Sequence, residues 1–195
     1  MAVRLPAAAR RQQLLDVARD LFAASGFHAT SMDDVAEAAG VTKPVLYQHF
    51  ANKRALYVEL LEDVGQRLMS AVAEATADAG SGRDQVRLGF DAYFSFVAAN
   101  QSSFRLLFGA SVRNDAEFAA VAQQVADAIA VAISGLIAVD VAAEQRHVLA
   151  HALVGMAEAT GRKAIADGTI EEPGRLADWL AEMAWYGLRG IRPAD

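Results

Sequence analysis

Apolar residues recur along this chain at spacings of three and four, and alternation of apolar with polar residues is rare, so the pattern predicts helices throughout and no sheet. From about Ala7 to Ser25, Leu14, Leu15, Ala18, Leu21 and Phe22 form one apolar stripe, and Gly26 is placed to close the helix. A short second helix is expected to open at Thr30, with Asp33 reciprocating across a capping box. Val35, Ala36 and Ala39 then lie on one face, whereas Asp33, Asp34 and Glu37 face water near the positive end of the helix dipole. Gly40 supplies the left-handed exit, and Thr42 begins capping again two residues later. Pro44 falls in the first turn of the third helix, where a missing amide proton costs little. Val41, Leu46 and Phe50 turn inward, leaving Lys43, Pro44, Val45, Tyr47, Gln48 and His49 outward.

Asn52 is placed to cap a long helix that continues through Leu56, Leu60, Leu61, Val64 and Leu68 toward Ala79. Gly80, Ser81 and Gly82 make the clearest break in the chain. Three more long helices are expected at about Ala116 to Ile137, 141 to 167 and 173 to 190, the last two separated by Gly168 and Pro173.

Two short helices joined by a tight turn have helix-turn-helix geometry. The outward face of the second suits a major groove: lysine and glutamine address base edges, while a tyrosine hydroxyl and a histidine donate to phosphate oxygens. The amides at the start of the helix after Asn52, together with Lys53, offer a further phosphate site.

Gly26–Phe27, Thr30–Ser31, Val35–Ala36, Ala39–Gly40–Val41, Leu46–Tyr47 and His49–Phe50 together resemble the signature of TetR-family transcriptional regulators, over residues about 10 to 57. Pro44 and the run Asn52 to Leu56 extend the resemblance through the recognition region. It implies an all-α homodimer, with a three-helix DNA-binding head (residues 1–57) and a larger helical effector-binding and dimerisation domain (residues 58–195). On that analogy Ser31, Thr42, Tyr47, His49 and Lys53 contact phosphates, and Lys43, Pro44, Val45 and Gln48 face bases. Met32 departs from the polar, base-contacting residue of some relatives. The last two helices of the family pair between subunits, which makes Leu149, Leu153, Met156, Leu176, Trp179, Leu180 and Met183 candidates for the dimer interface. The expected partners are a palindromic double-stranded operator, a second copy of the chain and a small effector. The expected activity is ligand-released repression, with activation as the alternative sign.

Six of the fifteen aromatic residues are concentrated between positions 84 and 110. Phe90, Tyr93, Phe94, Val97, Phe104, Arg105, Leu107 and Phe108 either fill a helical core or line an apolar pocket for a lipophilic or aromatic effector, with Tyr93, Asn100, Gln101 and Arg105 as polar anchors.

Charge divides in the same way as the motifs. Residues 1–57 carry seven Lys and Arg against five Asp and Glu, and the rest of the chain eleven against nineteen, giving the net charge of −6. The relevant quantity for a phosphate backbone is the local excess, which here favours the head. Arg4, Arg10 and Arg11 extend this basic end, either as an arm on DNA or as solvated charges flanking the first helix. With no cysteine there is neither a disulfide framework nor a thiolate metal site, and no uninterrupted span of about 20 apolar residues appears. The expectation is a cytoplasmic protein with no membrane partner. Glu144, His147 and His151 share a helix face at spacings that suit a metal, yet Val148 stands where a zinc-protease motif needs glutamate; no metal and no other cofactor is expected. No nucleophile triad, phosphate loop or carboxylate pair marks an enzyme.

Overall fold

The computed structural model describes residues 6–137 and 141–190, and Arg4 lies outside them. Among the described residues there are ten helices and no strand: α1 (Ala7–Ala29), α2 (Met32–Ala38), α3 (Lys43–His49), α4 (Lys53–Thr76), α5 (Gly82–Ala99), α6 (Gln101–Phe108), α7 (Ala110–Arg113), α8 (Ala116–Ser134), α9 (Ala143–Asp167) and α10 (Pro173–Arg189). The protein is all-helical, as its periodicity requires.

One compact unit takes the chain up to Val64 together with Ser102–Ala122. It contains the three N-terminal helices, the first half of α4, α6, α7 and the start of α8. Leu14, Leu15, Ala18 and Phe22 of α1 are buried against this core, and Leu21 is only half-buried. Phe22, Phe27, Tyr57 and Phe118 make a ring cluster, with Phe22 edge-on to Tyr57 at 5.1 Å and Phe27 edge-on to Phe118 at 4.9 Å. Burial raises the pKa of the Tyr57 hydroxyl above its ordinary value, opposed by a hydrogen bond with Ser111. A division after Tyr57 therefore falls inside a continuous core: Leu56, Tyr57, Leu60, Leu61 and Val64 are all buried along one helix.

The second unit comprises Gly65–Gln101 and the residues from Gln123 onward. Here α10 packs along α5, with α9 beside both. Gly168, at φ +72°, closes α9 in the left-handed conformation, at the break between the last two helices that the sequence places at Gly168 and Pro173. Phe90, Tyr93, Phe94 and Val97 are buried along α5, and burial pushes the Tyr93 hydroxyl well above its usual range. Phe104 and Leu107 are buried in the first unit, Phe108 is half-buried there and Arg105 is exposed. The eight residues of the aromatic segment are thus divided between the two units.

The expected dimer residues also separate. Leu176 is buried within the chain's own core, and Leu149 and Leu153 pack on the cluster of Ala130, Ile137 and Ala150. Trp179, Met183 and Tyr186 remain exposed at 57%, 56% and 64%, spaced four and three residues apart on one face of α10. Met156 and Leu180 are half-buried. One helix, α8, is long and apolar enough to cross a membrane, although Phe118, Val121, Ile129 and Ala130 on it are buried.

Candidate nucleic-acid interface

The helix-turn-helix is set by local hydrogen bonding, one residue later than the sequence pattern placed it. Ser31, not Thr30, is the N-cap of α2: its hydroxyl accepts from the Asp34 amide at 3.1 Å, and its own amide donates to Asp34 Oδ2 at 2.8 Å. Thr30 is instead buried, and its hydroxyl donates to the Gly26 carbonyl at 2.9 Å. The reason is the kink at Gly26 (φ +79°, ψ 166°), which carries helical structure on to Ala29 and moves the first free amide one position along. The Ser31 amide and then its hydroxyl hold the Asp34 carboxyl below the usual carboxylate range.

Val35, Ala36 and Ala39 are buried as expected, and Met32 joins them at 7% exposure. Met32 is thus a core residue of α2, and this accounts for an apolar side chain at that position. Gly40 takes φ +63°, and the Val41 amide donates to the Ala36 carbonyl at 3.0 Å, so the turn between α2 and α3 is closed by the backbone itself. Thr42 caps α3 through its backbone carbonyl, which accepts from the amides of Val45 and Leu46, and Pro44 occupies the first turn.

Leu46 and Phe50, at 0% and 2% exposure, pin the inner face of α3. Opposite them Thr42, Lys43, Pro44, Tyr47 and Gln48 are exposed, with Val45 and His49 half-buried at the margins. Ser31 is exposed at the start of α2. An exposed lysine is free to enter a groove only as far as nearby acids allow, and Lys43 Nζ lies 2.6 Å from Asp33 Oδ2. This hydrogen bond raises the pKa of Lys43 above its ordinary value, which favours the charged ammonium. Asn52 caps α4 as expected, its Oδ1 accepting from the Ala55 amide at 2.9 Å.

Lys53, expected at a phosphate, and Arg11, read either as part of a DNA-touching arm or as a solvated charge, are both engaged by other groups of the chain. Lys53 Nζ donates to the carbonyls of Phe27 and Thr30, both at 2.8 Å, and approaches that of His28 at 3.4 Å. Arg11 pairs with Glu59 through two nitrogens and donates from Nη1 to the His49 carbonyl at 2.6 Å. Arg10 donates to Gln13 at 2.6 Å. Neither side-chain set was legible from charge counting, because the partners lie far away in sequence.

In the second unit, His147 and His151 face each other with their Nε2 atoms 3.0 Å apart, and Asp127, not Glu144, stands 3.9 Å from His151. Among the described residues no group of three or more His, Cys, Asp or Glu side chains is placed to hold a metal ion.

Comparison with known proteins agrees with this geometry. Residues 14–60 match the family described as bacterial regulatory proteins, tetR family, and residues 83–187 match the tetracyclin repressor-like C-terminal domain. The chain is 32% identical over 190 residues to the HTH-type transcriptional activator FasR of Mycolicibacterium smegmatis, covering 96% of this chain and 87% of FasR. The crystal structure of a TetR-like transcriptional regulator from Rhodococcus sp. RHA1 superposes with a TM-score of 0.75 at 34% identity, covering 96% of this chain and all of the other. The fold is shared, at 16% identity and a TM-score of 0.77, with Bacillus subtilis FadR in complex with stearoyl-CoA, over 93% of this chain and 99% of that one. The chain belongs to the tetR family of bacterial regulatory proteins; it is a DNA-binding transcriptional regulator and not an enzyme.

Proposed function

We propose that this tetR-family regulator acts in the cytoplasm as a homodimer on a palindromic operator, and that a lipophilic acyl effector controls its hold on DNA. The observation that carries the reading is the exposed row Thr42, Lys43, Pro44, Tyr47 and Gln48 on α3, presented by a helix whose opposite face is anchored through Leu46 and Phe50. A helix held in this way can enter the major groove without deforming. Lys43, Pro44, Val45 and Gln48 then meet base edges, while Ser31, Thr42, Tyr47 and His49 meet the flanking phosphates. Two such heads reading successive major grooves require a two-fold dimer, and the exposed Trp179, Met183 and Tyr186 on α10 supply apolar area for one. With Met156 and Leu180 they form a stripe suited to helix pairing across the two-fold axis.

The effector reading rests on α5, whose rings Phe90 and Phe94 and neighbouring Val97 give an acyl chain an apolar lining. It is supported by the stearoyl-CoA bound to the B. subtilis protein of the same fold. Control then requires that the effector bind DNA-competent and DNA-incompetent states unequally, and that DNA change effector affinity by the same factor.

Selection of bound sequences from a random duplex library tests the reading directly. Enrichment of a palindrome, followed by a change in operator affinity on adding stearoyl-CoA, is the expected result; a wild-type protein that enriches nothing at low salt overturns it.

In this reading, occupancy of a promoter by such a dimer represses transcription. A second sign, activation, is favoured by one observation: the mycobacterial relative matched along 96% of this chain is named an activator. Transcription in vitro from a promoter bearing the selected operator, with and without the protein, separates the two signs.

A further inference from the structure

We infer that His147 and His151 form a two-imidazole site for a divalent transition-metal ion, with Cu2+ the ion it holds most tightly, where α9 meets α8 in the second unit. The site is independent of the reading of α3 and of the effector.

The two histidines stand four residues apart on α9, so their side chains rise from one helix face a single turn from each other. Their Nε2 atoms converge to 3.0 Å, with the rings nearly perpendicular at 84° and their centres 4.5 Å apart. Two neutral imidazoles meet this closely when one nitrogen donates and the other accepts, so one ring carries its proton on Nε2 and the other on Nδ1. Transfer of the first proton to Nδ1 leaves two Nε2 lone pairs side by side, which a metal cation can bridge without any change in the charge of either ring.

The spacing suits ligation. Imidazole nitrogens stand about 2.0–2.1 Å from a bound ion, which puts two of them about 2.9 Å apart at a right angle and about 3.3–3.4 Å apart at the tetrahedral angle. The observed separation is nearer the first. Square-planar or tetragonal coordination by nitrogen is the preference of Cu2+, which also leads the divalent series in affinity for such ligands.

Groups on α8 favour a cation at this place. Asp127 Oδ1 lies 3.9 Å from His151 Nε2, and the Gln123 side-chain amide donates to the same oxygen at 2.7 Å, holding the carboxylate at the rim. Its negative charge attracts the ion from beside the two ligands, and water completes the coordination. An ion has access, because His147 is exposed, His151 is half-buried and Val131, one turn beyond Asp127, is 59% exposed. The same stretch of α9 is anchored on its inner side, where Leu149, Ala150 and Leu153 pack with Ala130 and Ile137 of the preceding segment. The two rings are thus carried by a helix that is already fixed, which lowers the ordering cost of binding. His28 and His49, the other histidines of the chain, have no histidine three or four residues away.

Untagged full-length protein, stripped with a chelator and titrated with Cu2+ alone, tests the site by calorimetry and electron paramagnetic resonance. Wild type is expected to take up one equivalent per chain, with hyperfine coupling to two imidazole nitrogens, and its Tm to rise with Cu2+ by mass action. His147→Ala and His151→Ala are each expected to lose more than about 100-fold in affinity, beyond the cost of losing a group that only orients a ligand. Asp127→Asn is expected to lose about tenfold, the scale of one charge near a solvated cation. His28→Ala is expected to bind as wild type does. The resonance spectrum of wild type decides the ligand count even where a variant fails to fold. Unchanged affinity in either His147→Ala or His151→Ala, a wild-type spectrum with fewer than two nitrogens, or an equal loss in His28→Ala overturns the site.

Discussion

Arg54 Nη2 lies 2.7 Å from both carboxylate oxygens of Asp115, so the first turn of α4 is ion-paired to the residue that caps α8. Asp115 Oδ1 also accepts from the amides of Glu117 and Phe118 at 3.1 and 3.2 Å, and the Arg54 guanidinium rests 4.6 Å over the Phe118 ring. One carboxylate thus serves as both cap and counter-ion.

That double service gives stability an acid limit. Arg54 holds the Asp115 carboxyl below its ordinary value, so its contribution is complete above about pH 4, the ordinary carboxylate range, and is lost as pH falls through the lowered folded-state value. Asp34 behaves in the same sense through its bonds from Ser31. Thermal melts between pH 7 and pH 2.5 are expected to show the melting temperature of wild type falling more steeply than that of Asp115→Asn. Parallel curves would remove Asp115 from the acid response.

The one-residue displacement of the capping box separates two adjacent acids. Ser31→Ala and Asp34→Ala each remove a partner of the α2 cap and are expected to lower stability measurably. Asp33→Ala breaks only an exposed, solvent-screened pair with Lys43 and is expected to change stability less. Denaturant midpoints measured at constant slope rank the three; equal losses at Asp33 and Asp34 would contradict the assignment.

Gly65 marks a close helix approach in the second unit. A Cβ there would lie 2.6 Å from both Val125 methyl groups, and valine is too stiff to rotate away cheaply. Gly65→Ala is expected to destabilise by about 1–3 kcal/mol, as overpacking does, and Val125→Ala in the same chain to restore part of that loss. Additive losses in the double variant would show that the two positions do not meet.

The proposed dimer face predicts a change of assembly without a change of fold. Trp179→Glu with Met183→Glu places two charges on a stripe that is already exposed in the isolated chain. Sedimentation is expected to report monomers with wild-type helicity and weakened operator binding. A dimer that persists would move the interface off α10.

On the reading helix, Gln48→Ala and Lys43→Ala are expected to alter which operators are selected, by about 1–3 kcal/mol of discrimination at the affected positions. Tyr47→Phe removes a phosphate donor and is expected to weaken all duplexes alike. A uniform loss for Gln48→Ala, or a changed consensus for Tyr47→Phe, would reverse these roles.

The sequence alone determined the helical class, the tight turn at Gly40, the inward Leu46 and Phe50, the outward row on α3 and the Asn52 cap, because each depends on groups within a few residues of one another. The same locality explains the small error at Thr30: a kink at Gly26 shifts the register of the cap, and hydroxyls at positions 30 and 31 are equivalent to a pattern reader. Only the tertiary structure decided where the charges went. Arg11 meets Glu59 across 48 residues, Lys53 meets Phe27 across 26, and Arg54 meets Asp115 across 61. It likewise divided the aromatic stretch between two cores and sent Leu176 inward while leaving Trp179 exposed. A side chain's type and spacing state what it can bind; which partner it takes depends on the distance across the fold, and sequence separation carries no record of that distance.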